Sequence, residues 1–334
     1  MQAKVIKILE RIKNLKVAVY GDFCLDVYLM MSPEGSEVSV ETGLRARAVK
    51  KYYSSPGGAA NIVANIAALH PKSLQAIGVI GEDMHGRELL NHLQVMGVDV
   101  RGLTLQKHHF NTYTFTKLYC NDREEPRIDF GFNNKRTIET DAAILKRLEI
   151  ALEDCDVLVF NQQVPGSITN PKFITRANQL FAAFKDKIVL LDSRHYSSQF
   201  ENTYLKINEI EVAKRCGRQV AYQDHITMED IRNYGQKVFL KNKKPLFITC
   251  GDRGIVVVDS TGISTIPGVL IHSKIDAVGA GDTTLSALAL CLGAGFSNVD
   301  AAGFANLAAA VTIQKLFTTG TASGKEILDL IRGQ

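Results

Sequence analysis

The chain has 334 residues, of which 46% are hydrophobic and 22% are charged, and its formal net charge is +4. These values are ordinary for a soluble globular protein and supply enough apolar material for a large core. The basic clusters at 45–51 and 241–244 are too short to predict a nucleic-acid partner, and no apolar run is long enough to predict a membrane span.

Two features of the chain predict a cytoplasmic protein. The first residues, MQAKVIKILERIKNLK, place Ile and Leu at helical spacing between charges, which predicts an amphipathic helix and not a signal peptide. The six cysteines are far apart, without a CxxC pattern or a nearby His. We therefore expect neither zinc nor disulfides, and a reducing environment.

Strands and helices are predicted to alternate along most of the chain. Short runs rich in Val, Ile and Leu predict buried strands at 17–20, 74–81, 156–160, 188–192, 246–250 and 255–259. Helical patterns between several of them predict helices at 59–69, 86–96, 141–153 and 171–184. This alternation indicates a three-layer α/β/α fold with a mostly parallel sheet, in which ligands bind at the carboxyl ends of the strands.

Residues 27–55 and 111–132 interrupt this alternation. Partial alternation of apolar and polar residues, as in 113-YTFTKLY-119, predicts exposed strands outside the main sheet. Long excursions from a compact domain often cover an active site, so we interpret both as a small β lid inserted in a single domain of residues 1–334. Its apolar residues are Val38, Val40, Leu44, Val49, Tyr52 and Tyr53. They need cover, and we expect a homodimer paired through the lids.

The stretch 276-DAVGAGD-282 precedes a helix that the composition predicts over Thr283–Leu292. The first N–H groups of a helix lack partners, and the helix dipole is positive there. Glycines allow the backbone to approach a ligand closely, so the stretch predicts an anion site, most often for phosphate. A carboxylate is unfavourable in such a site. Asp282 is therefore either a helix cap or a base that takes a proton from an attacking hydroxyl.

Five short motifs together resemble the ribokinase or PfkB-type carbohydrate kinases, from about Val17 to about Ile327. They are 56-PGGAANIVANIAAL-69, 81-GEDMHG-86, 208-NEIE-211, 249-TCGDRG-254 and 276-DAVGAGD-282. Each motif is weak alone, but their order and spacing are specific. The resemblance implies a ribokinase-like fold and the transfer of the γ-phosphoryl group of ATP, with Mg²⁺, to a sugar hydroxyl.

The resemblance also implies roles at the phosphates. Asp282 would accept the hydroxyl proton, and Gly279, Ala280 and Gly281 would offer backbone N–H groups to the transferring phosphoryl group. Asn208 follows an extended segment, 203-TYLKI-207, and would lie near the phosphates. Glu211 would lie near Mg²⁺ through water, which suits the waters that Mg²⁺ retains. The alternative for Asn208 and Glu211 is the solvated first turn of a helix at 209–215.

Further residues are implied to contact the nucleotide. They are Thr249, Gly251, Gly254 and Asn306. The first three are also explained by a hairpin turn between two strands. Asn306 lies on an otherwise apolar helix and needs a partner, for which a buried backbone carbonyl serves as well as a nucleotide.

On the sugar side the resemblance implies Asp26, with Asp22 as the second choice because Asp22 also suits a turn cap. The other implied contacts are Gly57, Gly58, Asn61 and Arg194, together with either Asn161 or Gln163 at a strand end. The glycines allow close backbone approach, and the Asn61 amide offers both a donor and an acceptor.

The resemblance leaves the need for K⁺ open. In many members of the family the segment opened by Asp276 helps to hold a monovalent cation. The matching C-terminal stretch, 315-KLFTTGTAS-323, has Phe317 where the family usually has Gly.

The acceptor is a sugar or a sugar phosphate. The patterns 20-YGDFCLDVY-28, 116-TKLY-119 and 127-RIDF-130 look most like the heptose-7-phosphate kinase branch, whereas 36–55 and 161-NQQVPGS-167 depart from it. Lys117 and Arg127 either bind a phosphate already on the sugar or lie on solvated lid strands.

Two alternatives use the same scaffold. A nucleoside kinase would stack a base on lid aromatics, for which Tyr28, Phe110 and Tyr113 are candidates, although lid packing explains them equally well. A catalytically silent sugar- or nucleotide-binding regulator would show damage to the catalytic set, which is intact here. A dehydrogenase is unsupported, because 21-GDFCLD-26 stands where a G-x-G-x-x-G would follow the first strand.

Overall fold

The computed structural model describes residues 1–32, 34–121, 123–221, 224–316 and 319–333. Its strands are β1 (Lys16–Gly21), β2 (Phe23–Ser32), β3 (Ala48–Gly58), β4 (Ser73–Gly81), β5 (Asp99–Gln106), β6 (Tyr113–Cys120), β7 (Arg123–Phe130), β8 (Val157–Gln162), β9 (Ile188–Ser193), β10 (Tyr204–Asn208), β11 (Leu246–Thr249), β12 (Ile255–Asp259) and β13 (Gly262–Ile266). Its helices are α1 (Gln2–Ile12), α2 (Ala59–Ala67), α3 (Met84–Val95), α4 (Ile138–Asp154), α5 (Pro171–Ala183), α6 (Glu209–Arg215), α7 (Met228–Asn242), α8 (Ala280–Gly293), α9 (Asn298–Thr312) and α10 (Gly324–Gly333).

A nine-stranded sheet forms the centre, in the order β13-β12-β11-β10-β9-β8-β1-β4-β5. Its pairs are parallel except β11–β12 and β12–β13, which are antiparallel. All six residues of β8 are buried, as expected for a strand covered on both faces. The parallel strands place their carboxyl ends along one edge of the sheet, where Gly21, Asn161 and Asp192 lie side by side in register.

Helices cover both faces of this sheet and form two apolar cores. One core joins the sheet to α1, α2, α8 and α9, and the other joins it to α4, α5, α6 and α7. Helix α8 is buried along the whole stretch Thr283–Leu292. Its polar residues Thr283, Thr284 and Ser286 must therefore find hydrogen-bond partners inside the protein. The expected three-layer α/β/α fold is confirmed.

The second sheet has four strands in the order β3-β2-β6-β7, and it forms the lid. The β2–β6 pair is parallel, and the other two pairs are antiparallel. Strand β1 ends at Gly21 and β2 begins at Phe23, so the chain passes from the main sheet into the lid across Asp22 alone. The lid therefore begins earlier than the predicted residue 27.

The predicted strands and helices are present, with differences of a few residues at their ends. The sequence did not predict two strands, β5 and β13. Both mix apolar residues with charged, polar or glycine residues and are not continuous apolar runs. Within the described residues, no helix is both long enough and apolar enough to cross a membrane.

Candidate active site

A cleft of about 850 Å³ lies between the lid and the carboxyl edge of the main sheet. Its lid side includes Asp26 and Lys117, and its floor includes Asp192, Lys206 and Asp282. The cleft thus brings together side chains from strands that are far apart in the chain, as the parallel topology requires.

The N-terminus of α8 opens onto this cleft. Gly279 caps the helix with φ +82°, a left-handed conformation that favours glycine. Gly279 and Gly281 line the cleft. The N–H of Ala280 donates to the carbonyl oxygen of Ala277 at 3.2 Å, so this predicted donor is already engaged in a turn.

Asp282 lies in the first turn of α8, and its carboxylate faces another side chain. Its Oδ2 accepts a hydrogen bond of 2.7 Å from Nδ2 of Asn61 on α2. The helix has no side-chain cap, so the simple capping alternative for Asp282 does not describe this contact. Burial raises the pKa of Asp282 to about 6, against the hydrogen bond from Asn61 and the charge of Lys206. A carboxyl group with this pKa is suited to accept a proton near neutral pH.

Lys206 and Asp192 form a buried ion pair that the sequence analysis missed. Their Nζ and Oδ2 atoms are 2.8 Å apart, and both side chains are less than a tenth exposed. Burial opposes the charge of Lys206, but the attraction of Asp192 outweighs burial, and the pKa of Lys206 is raised. A Cβ atom on Gly281 would lie 3.3 Å from Nζ of Lys206, so this cation lies beside the α8 N-terminus.

A sequence signal for this pair existed. Lys206 stands in the otherwise apolar strand 203-TYLKI-207, and Asp192 ends the apolar run 188-IVLLD-192. A charge in a buried strand requires an opposite charge nearby, and neighbouring parallel strands are the natural source of one.

Asn208 and Glu211 form a reciprocal cap at the start of α6. Oδ1 of Asn208 accepts from the Glu211 N–H, and Oε2 of Glu211 accepts from the Asn208 N–H, both at 2.8 Å. The first-turn alternative is thus realised, yet both residues also line the cleft. Burial raises the pKa of Glu211, and the charge of Asp192 raises it further. A carboxylate under such repulsion, beside an amide oxygen, suits a hard cation such as Mg²⁺.

The residues predicted to contact the nucleotide do not all lie in the cleft. Thr249 lines the cleft at the end of β11. Gly251 and Gly254 shape the β11–β12 hairpin with φ +60° and φ +89°, as the turn alternative expects. Asn306 lies on α9 and donates to the carbonyl oxygen of Pro267 at 2.8 Å, so its amide has a backbone partner.

Asn306 lies with Pro267 and Gly268 at a second groove of about 910 Å³, and the hairpin packs against this Pro267–Gly268 segment. A Cβ atom on Gly254 would overlap the carbonyl oxygen of Ile266, at 2.1 Å. Only glycine therefore lets the hairpin pack against the wall of this groove.

The predicted sugar residues line the lid side of the cleft. Asp26, Gly57, Gly58 and Asn61 all contribute to its surface. A Cβ atom on Gly57 would lie 2.7 Å from Oδ1 of Asp26, so glycine is needed for this approach. Gly58 has φ +53° and precedes α2, the helix that carries Asn61.

The structure distinguishes among the candidate sugar contacts Asp22, Asn161 and Gln163, which lie at the ends of β1 and β8. Oδ2 of Asp22 accepts 2.8 Å hydrogen bonds from the N–H groups of Gln163 and Val164, so Asp22 braces this loop and does not face the cleft. Gln163 lines the cleft. Asn161 is fully buried, and within the described residues its amide has no hydrogen-bond partner.

Three cations line the cleft, two on lid strands and one directly after β9 of the main sheet. Lys117 lies 3.8 Å from Asp26, and Arg127 binds both carboxylate oxygens of Asp129. Arg194 lines the cleft with an exposed side chain. Lys117 and Arg127 also line the cleft, and their acidic neighbours are Asp26 and Asp129.

The aromatic candidates of the lid are engaged mainly in packing. Tyr28 stacks on Tyr53 with ring centroids 4.6 Å apart. Tyr53 is therefore partly buried, contrary to its predicted exposure. Phe110 is buried edge-to-face against Tyr113, and Tyr113 lines the cleft.

Asp276 participates in the turn before α8. Its Oδ1 accepts from the N–H of Val278 at 3.0 Å, and its own N–H donates to Ile313 at 2.7 Å. The departure from the family pattern at Phe317 lies outside the described residues.

Some known proteins are similar to this chain in sequence, and solved structures are similar to it in fold. The chain is 28% identical to the bifunctional protein HldE of Wolinella succinogenes over 94% of its own length, and 29% identical to that of Shewanella amazonensis over 96%. In both cases it spans 64% of the relative's length.

Solved structures share the fold. Arabidopsis thaliana ribokinase complexed with ribose and ATP matches with a TM-score of 0.72 at 19% identity, covering 96% of this chain and 99% of that one. Phosphofructokinase-2 of Escherichia coli in complex with potassium gives 0.72 at 18% identity with the same coverage. The family model of pfkB carbohydrate kinases matches residues 14–323. The chain therefore belongs to the pfkB family of carbohydrate kinases, which are phosphotransferases.

Proposed function

We propose that this protein transfers the γ-phosphoryl group of ATP to a hydroxyl of a sugar or sugar phosphate, with Asp282 as the general base. The observation that carries the proposal is the half-buried Asp282 carboxylate at the glycine-rich N-terminus of α8, where loss of hydration raises its pKa to about 6. Such a group accepts a proton beside a site that attracts phosphate.

In the proposed step the acceptor hydroxyl gives its proton to Asp282 while its oxygen attacks the γ-phosphorus. The bond to the bridging oxygen breaks, and ADP leaves with that oxygen. The backbone at Gly279 and Gly281 offers N–H groups to the phosphoryl oxygens. Lys206, held by Asp192, adds a positive charge beside Gly281. The family role of Ala280 is reduced because its N–H is engaged with Ala277.

The nucleotide is proposed to extend from the cleft to the second groove. In this arrangement Asn208 and Thr249, which line the cleft, would contact the phosphates, and Asn306, which lines the second groove, would contact the far end of the nucleotide. The Gly251–Gly254 hairpin, which packs against Pro267 and Gly268 of that groove, would lie between them. Mg²⁺ would be held near Glu211 through water, and bound there it neutralises charge on the phosphates. The segment opened by Asp276 is the proposed region for K⁺, if the reaction requires this ion.

The acceptor is proposed to occupy the lid side of the cleft. Asp26, Asn61 and Gln163 suit sugar hydroxyls, and the backbone at Gly57 and Gly58 allows close approach. The cations Lys117, Arg127 and Arg194 suit a phosphate that the sugar already carries. Closure of the lid would exclude water, which competes for the phosphoryl group. We propose a single cytoplasmic kinase domain with the lid inserted.

The test is the release of ADP from ATP and Mg²⁺, with and without K⁺, across free sugars, phosphorylated sugars and nucleosides. We expect release that depends on an acceptor, and a loss of several orders of magnitude in kcat for Asp282→Asn, with ATP still bound. If the enzyme prefers phosphorylated sugars, the result would support the proposal that Lys117, Arg127 and Arg194 bind the phosphate that the sugar already carries.

Two other results would contradict the proposal. Preference for a nucleoside would select the nucleoside kinase. ATP binding without turnover on any acceptor, or near-normal turnover by Asp282→Asn, would contradict the proposed mechanism.

A further inference from the structure

Behind Asp282 lies a chain of buried polar side chains, of which the proposed reaction uses only Asn61. It runs from Asn61 and Asn65 on α2 to Thr283 on α8 and Thr312 on α9, and each of these residues is at most 2% exposed. Buried polar groups must be paired, so their hydrogen bonds restrict their orientations.

The orientation of the Asn61 amide decides what Asp282 contacts. With Nδ2 toward Asp282, the amide donates to the carboxylate at 2.7 Å. With the amide reversed, its oxygen would face the carboxylate and repel it. An amide has nearly the same shape in both orientations, so shape alone does not select one.

The residues around Asn61 favour one of the two orientations of its amide. Nδ2 of Asn65 donates to the backbone oxygen of Asn61 at 2.9 Å and lies 3.4 Å from its Oδ1. Asn65 is itself oriented by the hydroxyl of Thr283, which donates to its Oδ1 at 2.8 Å. The hydroxyl of Thr283 is also 3.1 Å from that of Thr312.

We infer that Thr283 and Asn65 are positioning residues, which hold the Asn61 amide with its nitrogen toward Asp282. The inference rests on the proposed function for the meaning of Asp282 as a base, but the contact itself exists without substrate. The charged groups acting on Asp282 from neighbouring elements are Lys206 on β10, Asp192 on β9 and Asp26 on β2. None of them is changed by a substitution at Thr283.

The test compares Thr283→Val, which keeps the volume and removes the hydroxyl, with Thr283→Ser, which keeps the hydroxyl. Thr203→Val is the matched control, because Thr203 is fully buried and its hydroxyl has no partner in the described part of the chain. The readout is the titration of the Asp282 carboxyl by ¹³C NMR of the ligand-free protein labelled at aspartate. The signal is assigned by its absence in Asp282→Asn.

We expect the Asp282 titration midpoint to rise by about one pH unit in Thr283→Val, the scale on which a hydrogen bond shifts a carboxylate. Thr283→Ser and Thr203→Val should titrate like the unmodified protein. Where an acceptor is known, the acid limb of kcat should move with the midpoint, and kcat should fall roughly tenfold.

An unchanged midpoint in Thr283→Val, or a raised midpoint in Thr283→Ser, would overturn the inference. Asn65→Ser removes the same link from the α2 side and serves if Thr283→Val does not fold. Absence of kinase activity in the unmodified protein would contradict the proposed function alone, because the titration does not depend on turnover.

Discussion

Asp282 is charged in a place where burial disfavours charge. Its raised pKa means that the folded protein binds a proton more readily than the unfolded chain between about pH 4 and pH 6. Stability therefore falls as the pH rises through this window, and the loss is complete above it. A base that is held ready for proton transfer is in this case also a local source of instability.

The first prediction follows from the loss of stability that the raised pKa of Asp282 causes as the pH rises. At pH 7.5, Asp282→Asn should have a free energy of unfolding higher than the unmodified protein, by up to about 3 kcal/mol for a shift of about two pKa units. The difference should shrink toward zero near pH 4. Urea unfolding at pH 7.5 and 4.5 measures it.

The exposed Asp186 provides the control, since Asp186→Asn should change the free energy of unfolding by less than about 0.5 kcal/mol at both pH values. Greater stability at pH 7.5 together with lost turnover would identify Asp282 as a residue kept for chemistry. Lower stability of Asp282→Asn at pH 7.5 would contradict the assignment of an unfavourable buried charge.

At the residue scale, the sequence predicted best where a local pattern has one physical meaning. The glycines of 276-DAVGAGD-282 formed such a pattern and predicted the start of a helix, whereas Asp282 had two alternatives, a helix cap or a base. The partners of Asp282 formed no such pattern: Asn61 precedes it by more than two hundred residues, and only the packing of α2 on α8 joins them. The roles of Asp22 and Lys206 likewise depend on loops and strands that are neighbours in space and not in the chain.

Helix α6 combines a structural task with a proposed functional one. Asn208 caps the helix, and the same residue lines the cleft. Helix α7 begins with a comparable cap, in which Oγ1 of Thr227 accepts from the N–H of Asp230 at 3.1 Å. The two caps therefore allow the two tasks of Asn208 to be separated.

The second prediction uses this pair. Asn208→Ala and Thr227→Ala should each lower the free energy of unfolding by about 0.5–2 kcal/mol, the usual cost of losing an N-cap. Only Asn208→Ala should also raise KM for ATP, because Asn208 is proposed to lie near the phosphates. Urea unfolding and initial rates at varied ATP measure both effects. An unchanged KM in Asn208→Ala would reduce this residue to its capping role.

At the element scale, long apolar runs were predictable because burial on both faces leaves no other choice for a parallel strand. Strands β5 and β13 were not, since each interrupts its apolar residues with Gly, Arg or Ser. The four-stranded lid was expected only as exposed strands. Its parallel β2–β6 pair needs the intervening main-sheet strands β4 and β5 to bring the chain back.

The whole molecule presents an apolar surface on the lid. Val40 is 97% exposed and Leu44 is 71% exposed in the segment before β3, and Tyr52 on β3 is 49% exposed. Strand β3 is also an edge of the lid sheet, and an edge strand with apolar neighbours favours association with another chain.

The third prediction is that the protein sediments as a dimer and that Val40→Lys with Leu44→Lys makes it a monomer, because two buried charges at an interface are unfavourable. Leu240→Lys is the control, since Leu240 is 64% exposed on α7 and outside the lid. Sedimentation velocity at micromolar concentration distinguishes the two forms. A monomeric unmodified protein would contradict pairing through the lids.

The place of β1 in the main sheet has a consequence for how the chain is made. This first strand lies between β4 and β8, and Val17 lies beside Val157 in register. On the ribosome, β1 emerges early but has one open edge until nearly half of the chain has been synthesised. Pairings between distant residues are slow to form, and unpaired edges are prone to association. We therefore expect the centre of the sheet to assemble only after β8 has been synthesised, and the open edge of β1 to be prone to association until then.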